Sequence, residues 1–269
     1  VISDISSDGK ETVYIATDGN GVHFLSHKKQ QVTRRFYHDV SDKEGIRSNS
    51  VYSLLVDDRG AVWVGHFQAG LDYSLYQNGL FRTYAYPPLF NSANLSIRSF
   101  ISRGQEKVIG SRDGLFYINE ATGMVKSFVK PVLTSDLILT ISFYQGEYYI
   151  GTYGGGMMVL NPETLSLKYF SQSDTELFQK GHIFCVKPDT KGNLWIGTSQ
   201  GLFNYNGQTK QIKHFTSANS QLLEGNVYEV SFDSTGKGWI ATETGMCIYD
   251  PASQNLRSNV FPEGFVNKD

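Results

Sequence analysis

Short apolar stretches rich in β-branched residues alternate with polar, Gly-bearing turns along the whole chain, and no helical periodicity lasts beyond a single turn. The clearest example starts at Val51. Val51-Tyr52-Ser53-Leu54-Leu55-Val56 reads as a buried strand, and Asp57-Asp58-Arg59-Gly60 as a tight hairpin turn. Asp accepts hydrogen bonds from the turn's own backbone, and Gly supplies the positive φ that closes it. Val62-Trp63-Val64-Gly65 is the second strand, Gly70-Leu71-Asp72-Tyr73 begins the third, and Leu80-Phe81-Arg82-Thr83-Tyr84 is the fourth. The predicted unit is a four-stranded antiparallel meander.

The same scheme returns with Asp189-Thr190-Lys191-Gly192 before Leu194-Trp195-Ile196-Gly197-Thr198, and with Asp233-Ser234-Thr235-Gly236 before Trp239-Ile240-Ala241-Thr242. Trp195 and Trp239 are 44 residues apart, and Trp63 lies 132 residues before Trp195. In that register the remaining units show Tyr14-Ile15-Ala16, Val108-Ile109-Gly110 and Tyr149-Ile150-Gly151; units one, three and four keep the turn glycine (Gly9, Gly104, Gly146) without the leading Asp. Six units follow, at about 1–40, 41–86, 87–130, 131–172, 173–217 and 218–262, with 263–269 opening a further linker. This spacing is that of a propeller blade.

A lone meander has two apolar faces and cannot bury both. Packing blades face to face does, with the Trp position filling the layer between neighbours and the following Gly or Ala letting backbones approach. The expected fold is therefore all-β, a β-propeller of four-stranded antiparallel blades with six repeats present. Val1-Ile2-Ser3-Asp4-Ile5 aligns with Val51 to Leu55, and Glu263 to Asn267 with the linker Glu44 to Ser48. The chain thus reads as cut from a longer array, either as a whole six-bladed ring or as six blades of a larger one.

Charge changes the picture only by exclusion. The 24 Lys and Arg nearly balance 26 Asp and Glu, for a net charge of −2 with no basic block. Nucleic acid is a poor partner for such a surface. No apolar run reaches the ~18 residues of a membrane span, so no membrane insertion by this segment is expected. Cys185 and Cys247 fall at different positions of adjacent units and read as separate buried thiols rather than a disulfide or metal pair.

The apolar strand, Asp-x-x-Gly, Leu-Trp-Ile-Gly-Thr and Gly-Leu-x-x-Tyr consensus, clearest from Asp189 to Tyr205, resembles the two-component regulator propeller repeat. The likeness is strong in units two, five and six and weak in three and four. It implies a periplasmic sensory region of a membrane-spanning hybrid histidine kinase, with a glycan fragment as the typical signal. In that family two seven-bladed propellers usually precede a small β-sandwich. The implied partners are an oligosaccharide or other small ligand, a neighbouring propeller or sandwich domain of the parent, and a second copy in a homodimer.

Several motifs compete with that reading. Gly197-Thr198-Ser199-Gln200-Gly201 fits Gly-x-Ser-x-Gly, but a nucleophile elbow needs a strand followed by a helix. Gly151-Thr152-Tyr153-Gly154-Gly155-Gly156 lacks the helix N-terminus of a phosphate loop. The six histidines have no nearby Cys pair, so neither a metal site nor a cofactor is expected. Most Tyr and Phe recur at strand positions and read as blade packing.

One set of residues varies while its flanks repeat. The loops between second and third strands hold His66 and Gln68, Arg112 and Asp113, Tyr153, Gln200 and Glu243; the linkers before first strands add Arg47, Arg98 and His182. In a propeller both kinds of loop ring one mouth of the channel. Their aromatic, amide, guanidinium and carboxylate groups suit a polyhydroxylated ligand and form the candidate ligand-binding set, with no catalytic residue assigned. A non-catalytic sensor is the leading expectation. A protein-binding scaffold is the alternative, and a propeller lyase or hydrolase built on His66, Arg112, Tyr153 and Glu243 is the third.

Overall fold

The computed structural model describes residues 1–42, 44–57, 59–74, 81–83, 95–170 and 177–258. Asp58, Leu80, Tyr84 and the 263–269 linker lie outside the described residues. The chain folds as six four-stranded antiparallel blades of a β-propeller. It divides into two compact units, 1–138 and 139–269.

Unit 1 carries three blades. The first comprises β1 (Ile2–Ser7), β2 (Thr12–Thr17), β3 (Gly21–Ser26) and β4 (Gln31–Phe36). The second comprises β5 (Val51–Val56), β6 (Val62–His66), β7 (Leu71–Ser74) and β8 (Phe81–Thr83), and the third β9 (Ile97–Arg103), β10 (Glu106–Ser111), β11 (Gly114–Asn119) and β12 (Met124–Phe128). The fourth blade, essentially in unit 2, has β13 (Ile138–Tyr144), β14 (Glu147–Thr152), β15 (Met157–Leu160) and β16 (Leu167–Tyr169). The four-residue α1 (Leu177–Lys180) precedes β17 (Ile183–Pro188), β18 (Asn193–Thr198), β19 (Gly201–Asn206) and β20 (Ile212–Phe215). The last blade is β21 (Val227–Phe232), β22 (Gly238–Thr242), β23 (Gly245–Asp250) and β24 (Asn255–Ser258).

The cores lie between blades. Tyr14, Phe24 and Phe36 of the first blade meet Val51, Val62 and Phe81 of the second. Trp63 and Leu71 meet Ile97 and Ile109 of the third. In unit 2, Tyr149 and Phe170 pack on Phe178 and Phe203, while Trp195 and Phe215 pack on Val230 and Leu256 of the last blade. Both cysteines sit free within these layers, and burial pushes their thiols up, out of reach of thiolate chemistry at neutral pH. The Trp position is not uniform, however. Trp63 and Trp195 are buried, whereas Trp239 is 38% exposed.

Two details of the repeat differ from the sequence reading. Strand pairing sets Ile2 opposite Thr17 as Val51 is opposite His66, so Ile2, not Val1, matches Val51. A run of like residues hides a one-residue offset that only the pairing partner reveals. The first unit also keeps its turn carboxylate. Asp8 Oδ1 accepts the N–H groups of Lys10, Glu11 and Thr12 at 2.9, 3.0 and 3.0 Å. Asp57 and Asp189 do the same and also accept the Nε1–H of Trp63 and Trp195, at 3.0 and 2.9 Å. The Asp-to-Trp spacing of the repeat thus ties a turn to the next strand's side chain.

These turns make the fold acid-sensitive. At Asp233 the Thr235 hydroxyl, with the N–H groups of Lys237 and Thr235, holds the carboxyl below its ordinary value. Burial raises the Asp8 carboxyl, but the turn N–H groups outweigh it and the net shift is down. A carboxyl depressed by folding stabilises the fold fully above the unfolded carboxylate range and loses that contribution as pH falls through the folded value. Urea stability should therefore decline below about pH 4, and Asp8→Asn with Asp233→Asn should flatten that decline. An unchanged acid limb in the double variant would count against these turns as its source.

Candidate functional site

Five of the six blades present one face built by the same hydrogen bonds. The residue after the second strand donates its N–H to the linker just before the first: Asp18 to Val1 O, Phe67 to Ser50 O, Arg112 to Ser96 O, Ser199 to His182 O and Glu243 to Asn226 O, at 2.9–3.3 Å. The glycine opening the third strand reaches the next blade's linker, as in Gly21 to Asn49 O, Gly70 to Leu95 O and Gly156 to Gly181 O. Buried backbone donors are thereby satisfied, and loops and linkers are fixed on a common face within each unit.

A second device holds the loop itself. The last residue of the second strand turns its hydroxyl onto the carbonyl of the glycine that follows: Thr17 to Gly21 O, Ser111 to Gly114 O, Thr152 to Gly156 O, Thr198 to Gly201 O and Thr242 to Gly245 O, all at 2.8–3.0 Å. This accounts for the Thr of the Trp-Ile-Gly-Thr pattern. The second blade alone departs, placing His66 there. His66 is fully buried, and its Nε2 lies 2.9 Å from Asp72 Oδ2. Arg47 donates to the same carboxylate from Nε and from its backbone N–H, both at 2.9 Å.

The first strands add residues that the sequence reading passed over, and one that it named, Arg98. In five blades the register slips by one residue near the start of that strand, leaving Ser3, Tyr52, Arg98, Phe184 and Tyr228 as bulge residues. A bulge re-aims its side chain and ends regular pairing. In unit 2 this produces a line of rings. Tyr153 lies 4.0 Å from His182, His182 6.2 Å from Phe184, and Phe184 5.1 Å from Tyr228, centroid to centroid. Tyr153 and Tyr228 are 50% and 44% exposed. The Tyr228 hydroxyl accepts from Asn226 Nδ2 at 3.0 Å, and Glu243 Oε2 accepts the Asn226 N–H at 3.2 Å. His182 Nδ1 is buried without a hydrogen-bond partner.

Unit 1 has a matching group. Phe67 and Tyr52 are 5.1 Å apart, and the Arg98 guanidinium lies 4.7 Å over the Tyr52 ring. Arg112 and Asp113 are exposed on the adjoining loop, and Gln68 holds a left-handed φ of 54° beside Phe67. The candidate residues therefore fall into local sets: Arg47 with His66; Tyr153 with His182; Glu243 beside Asn226. Gln200 stands apart from the ring line, its carbonyl 2.8 Å from His214 Nε2.

The competing motifs resolve into strand ends. Gly197 to Gly201 spans the end of β18 and the start of β19, and Gly151 to Gly156 runs from β14 towards β15, with no helix following either. Among the described residues no three His, Cys, Asp or Glu side chains gather as a metal site. Nor is any helix among them long and apolar enough to cross a membrane.

Comparison with known proteins bears on this geometry. The family model described as two component regulator propeller matches residues 45–68 and 178–200, the linker and first two strands of the second and fifth blades. No curated protein matches the chain. Among solved structures, the extracellular domain of a proposed hybrid two-component system from B. thetaiotaomicron superposes with a TM-score of 0.78 at 24% identity, over 95% of this chain and 33% of that one. PorZ, a surface component of the type-IX secretion system of Porphyromonas gingivalis, gives 0.71 at 16% identity, over 91% and 38%. The extracellular domain of a proposed one-component system from B. thetaiotaomicron gives 0.52 at 18%, over 94% and 40%. At these identities the likeness establishes the propeller fold, and this chain spans about a third of the length of the first two.

Proposed function

We propose that this propeller is a non-catalytic sensory module of a periplasmic or extracellular two-component-type receptor, and that its loop faces bind a glycan fragment. The ring line Tyr153–His182–Phe184–Tyr228 carries the reading, because half-exposed rings flanked by an amide and a carboxylate suit the alternating apolar faces and hydroxyls of a sugar. The family-model match and the extracellular sensor domains of like fold support the receptor context. The signal passes to a neighbouring propeller, a sandwich domain or a second copy through altered packing.

A thermal-shift panel of oligosaccharides tests this. Binding to the folded state stabilises by mass action, about 2.7 kcal/mol at a ligand concentration a hundredfold above Kd. One glycan class should raise the melting temperature, and Tyr153→Ala with Tyr228→Ala should abolish the shift while leaving the unliganded melting temperature nearly unchanged, both rings being half-exposed. A shift that survives both substitutions would place the ligand elsewhere.

A further inference from the structure

The second blade's exchange of a Thr clasp for His66 and Asp72 is the feature that the fold does not require. Strand pairing puts Asp72 opposite Val64, the position held by Phe116 opposite Ile109, Met158 opposite Ile150, Phe203 opposite Ile196 and Cys247 opposite Ile240, and in the first blade by His23 opposite Ile15. A carboxylate at such a site, 1% exposed, needs charged or hydrogen-bonding partners to be held there. Asp72 has three: its Oδ2 takes the Arg47 N–H and His66 Nε2, and its Oδ1 takes Arg47 Nε. The apolar residue and hydroxyl clasp of the third to sixth blades are satisfied without any charge. What the exchange adds is a fixed guanidinium.

Arg47 is gripped on its Nε side, and 42% of its side chain is exposed. A guanidinium has five donors in a rigid fork, so one edge on Asp72 leaves the Nη groups for a second anion. Gly70 makes room for it, since a Cβ there would fall 2.8 Å from Arg47 Nη2. The same face of unit 1 offers the Phe67 and Tyr52 rings, and Arg98 above Tyr52 has its Nε buried without a partner. A clamped guanidinium, a second one over a ring and a ring pair on one loop face suit a ligand that is both ring-shaped and anionic. Because the clamp sets Arg47 before binding, little side-chain freedom is lost on engagement.

We propose that Arg47, positioned by Asp72 and His66, anchors the carboxylate or sulfate of an acidic sugar on the loop face of unit 1. Arg47 is the contacting group; Asp72 and His66 are positioning residues. This deepens the glycan-sensing reading and rests on it.

Calorimetric titration of the whole chain with D-glucuronate, D-glucose and inorganic sulfate tests it. D-glucuronate should bind about tenfold or more tightly than D-glucose, the worth of a charged hydrogen-bonded pair. Arg47→Gln should erase that preference, and Arg47→Lys, which keeps the charge without the fork, should recover only part of it. His66→Thr with Asp72→Phe installs the Thr198 and Phe203 pair of the fifth blade, so it should fold with an undiminished melting temperature yet lose the preference. Arg257→Gln, in an open groove of about 800 Å³ along β20 and β24, serves as the control and should leave it intact.

A glucuronate preference that survives Arg47→Gln, or equal binding of glucose and glucuronate, overturns the proposal. So does sulfate binding as tightly as glucuronate, which would leave an ion site with no sugar. If neutral glycans bind through Tyr153 and Tyr228 while Arg47→Gln changes nothing, the sensor reading stands and this one falls. If glucuronate binds through Arg47 but neither ring substitution affects any glycan, the reverse holds. Silence from both anions also overturns it.

Discussion

Trp195→Ala should destabilise the protein by about 3–5 kcal/mol, the usual cost of emptying a buried aromatic site. Trp195 is 1% exposed and touches Phe215, Phe232 and Tyr249 at centroid distances of 5.8, 5.8 and 4.5 Å. Its indole N–H is satisfied by Asp189, so truncation empties a packed site and removes a turn-to-strand tie together. Trp239→Ala, at the same place in the repeat, should cost only about 1–2 kcal/mol, because 38% of that side chain already faces water. Urea unfolding of the two variants separates packing from motif. Equal losses would mean that the motif itself, rather than burial, sets the contribution.

Gly197→Val is the second large effect. A Cβ at Gly197 would sit 2.6 Å from Cys185 Sγ, 2.6 Å from Val227 O and 3.0 Å from Val227 Cγ1. The sulfur is the end of a short side chain, but Val227 O belongs to the backbone of the next blade and cannot swing aside. Overpacking of this kind costs about 1–3 kcal/mol for an added methyl and more when backbone must move. Gly197→Ala should fall within that range and Gly197→Val beyond it, read again from urea midpoints. Ala16 and Ala241 hold the same place in other blades, so the constraint is local spacing rather than backbone conformation. A silent Gly197→Val would show that the blades separate more easily than this packing implies.

Both effects trace to residues that the repeat made visible, and the limits of that visibility have physical causes. The Trp-Ile-Gly-Thr register reveals strands, turns and interblade layers because most of its positions do the same job from blade to blade. The Thr hydroxyl on a glycine carbonyl is one such job, and Asp189 on Trp195 another. The shared face of loops and linkers was equally legible, since it follows from meander topology. The bulge residues were not. Tyr52, Phe184 and Tyr228 sit in stretches that read as regular strand, Arg98 reads as a linker residue, and a bulge exists only in relation to the partner strand.

His66 shows the opposite limit. A histidine in a variable loop reads as a contact residue, but it occupies the Thr position and turns inward onto Asp72, leaving Arg47 as the exposed member of the trio. That outcome depends on a pairing between a strand end and a third-strand residue six positions later. Trp239 likewise carries the motif of a core residue while its burial depends on what faces it.

The most direct test of ligand sensing on the loop faces is amide hydrogen exchange of the whole chain with and without an oligosaccharide that shifts its melting temperature. The account predicts slowed exchange confined to the second-to-third-strand loops and the bulges, at residues 66–70, 96–98, 152–156, 182–184 and 226–228. Protection instead at residues 213–221 and 253–258, along the open groove of the outer strands, would contradict it. So would ligand-induced stabilisation with no local protection on either loop face.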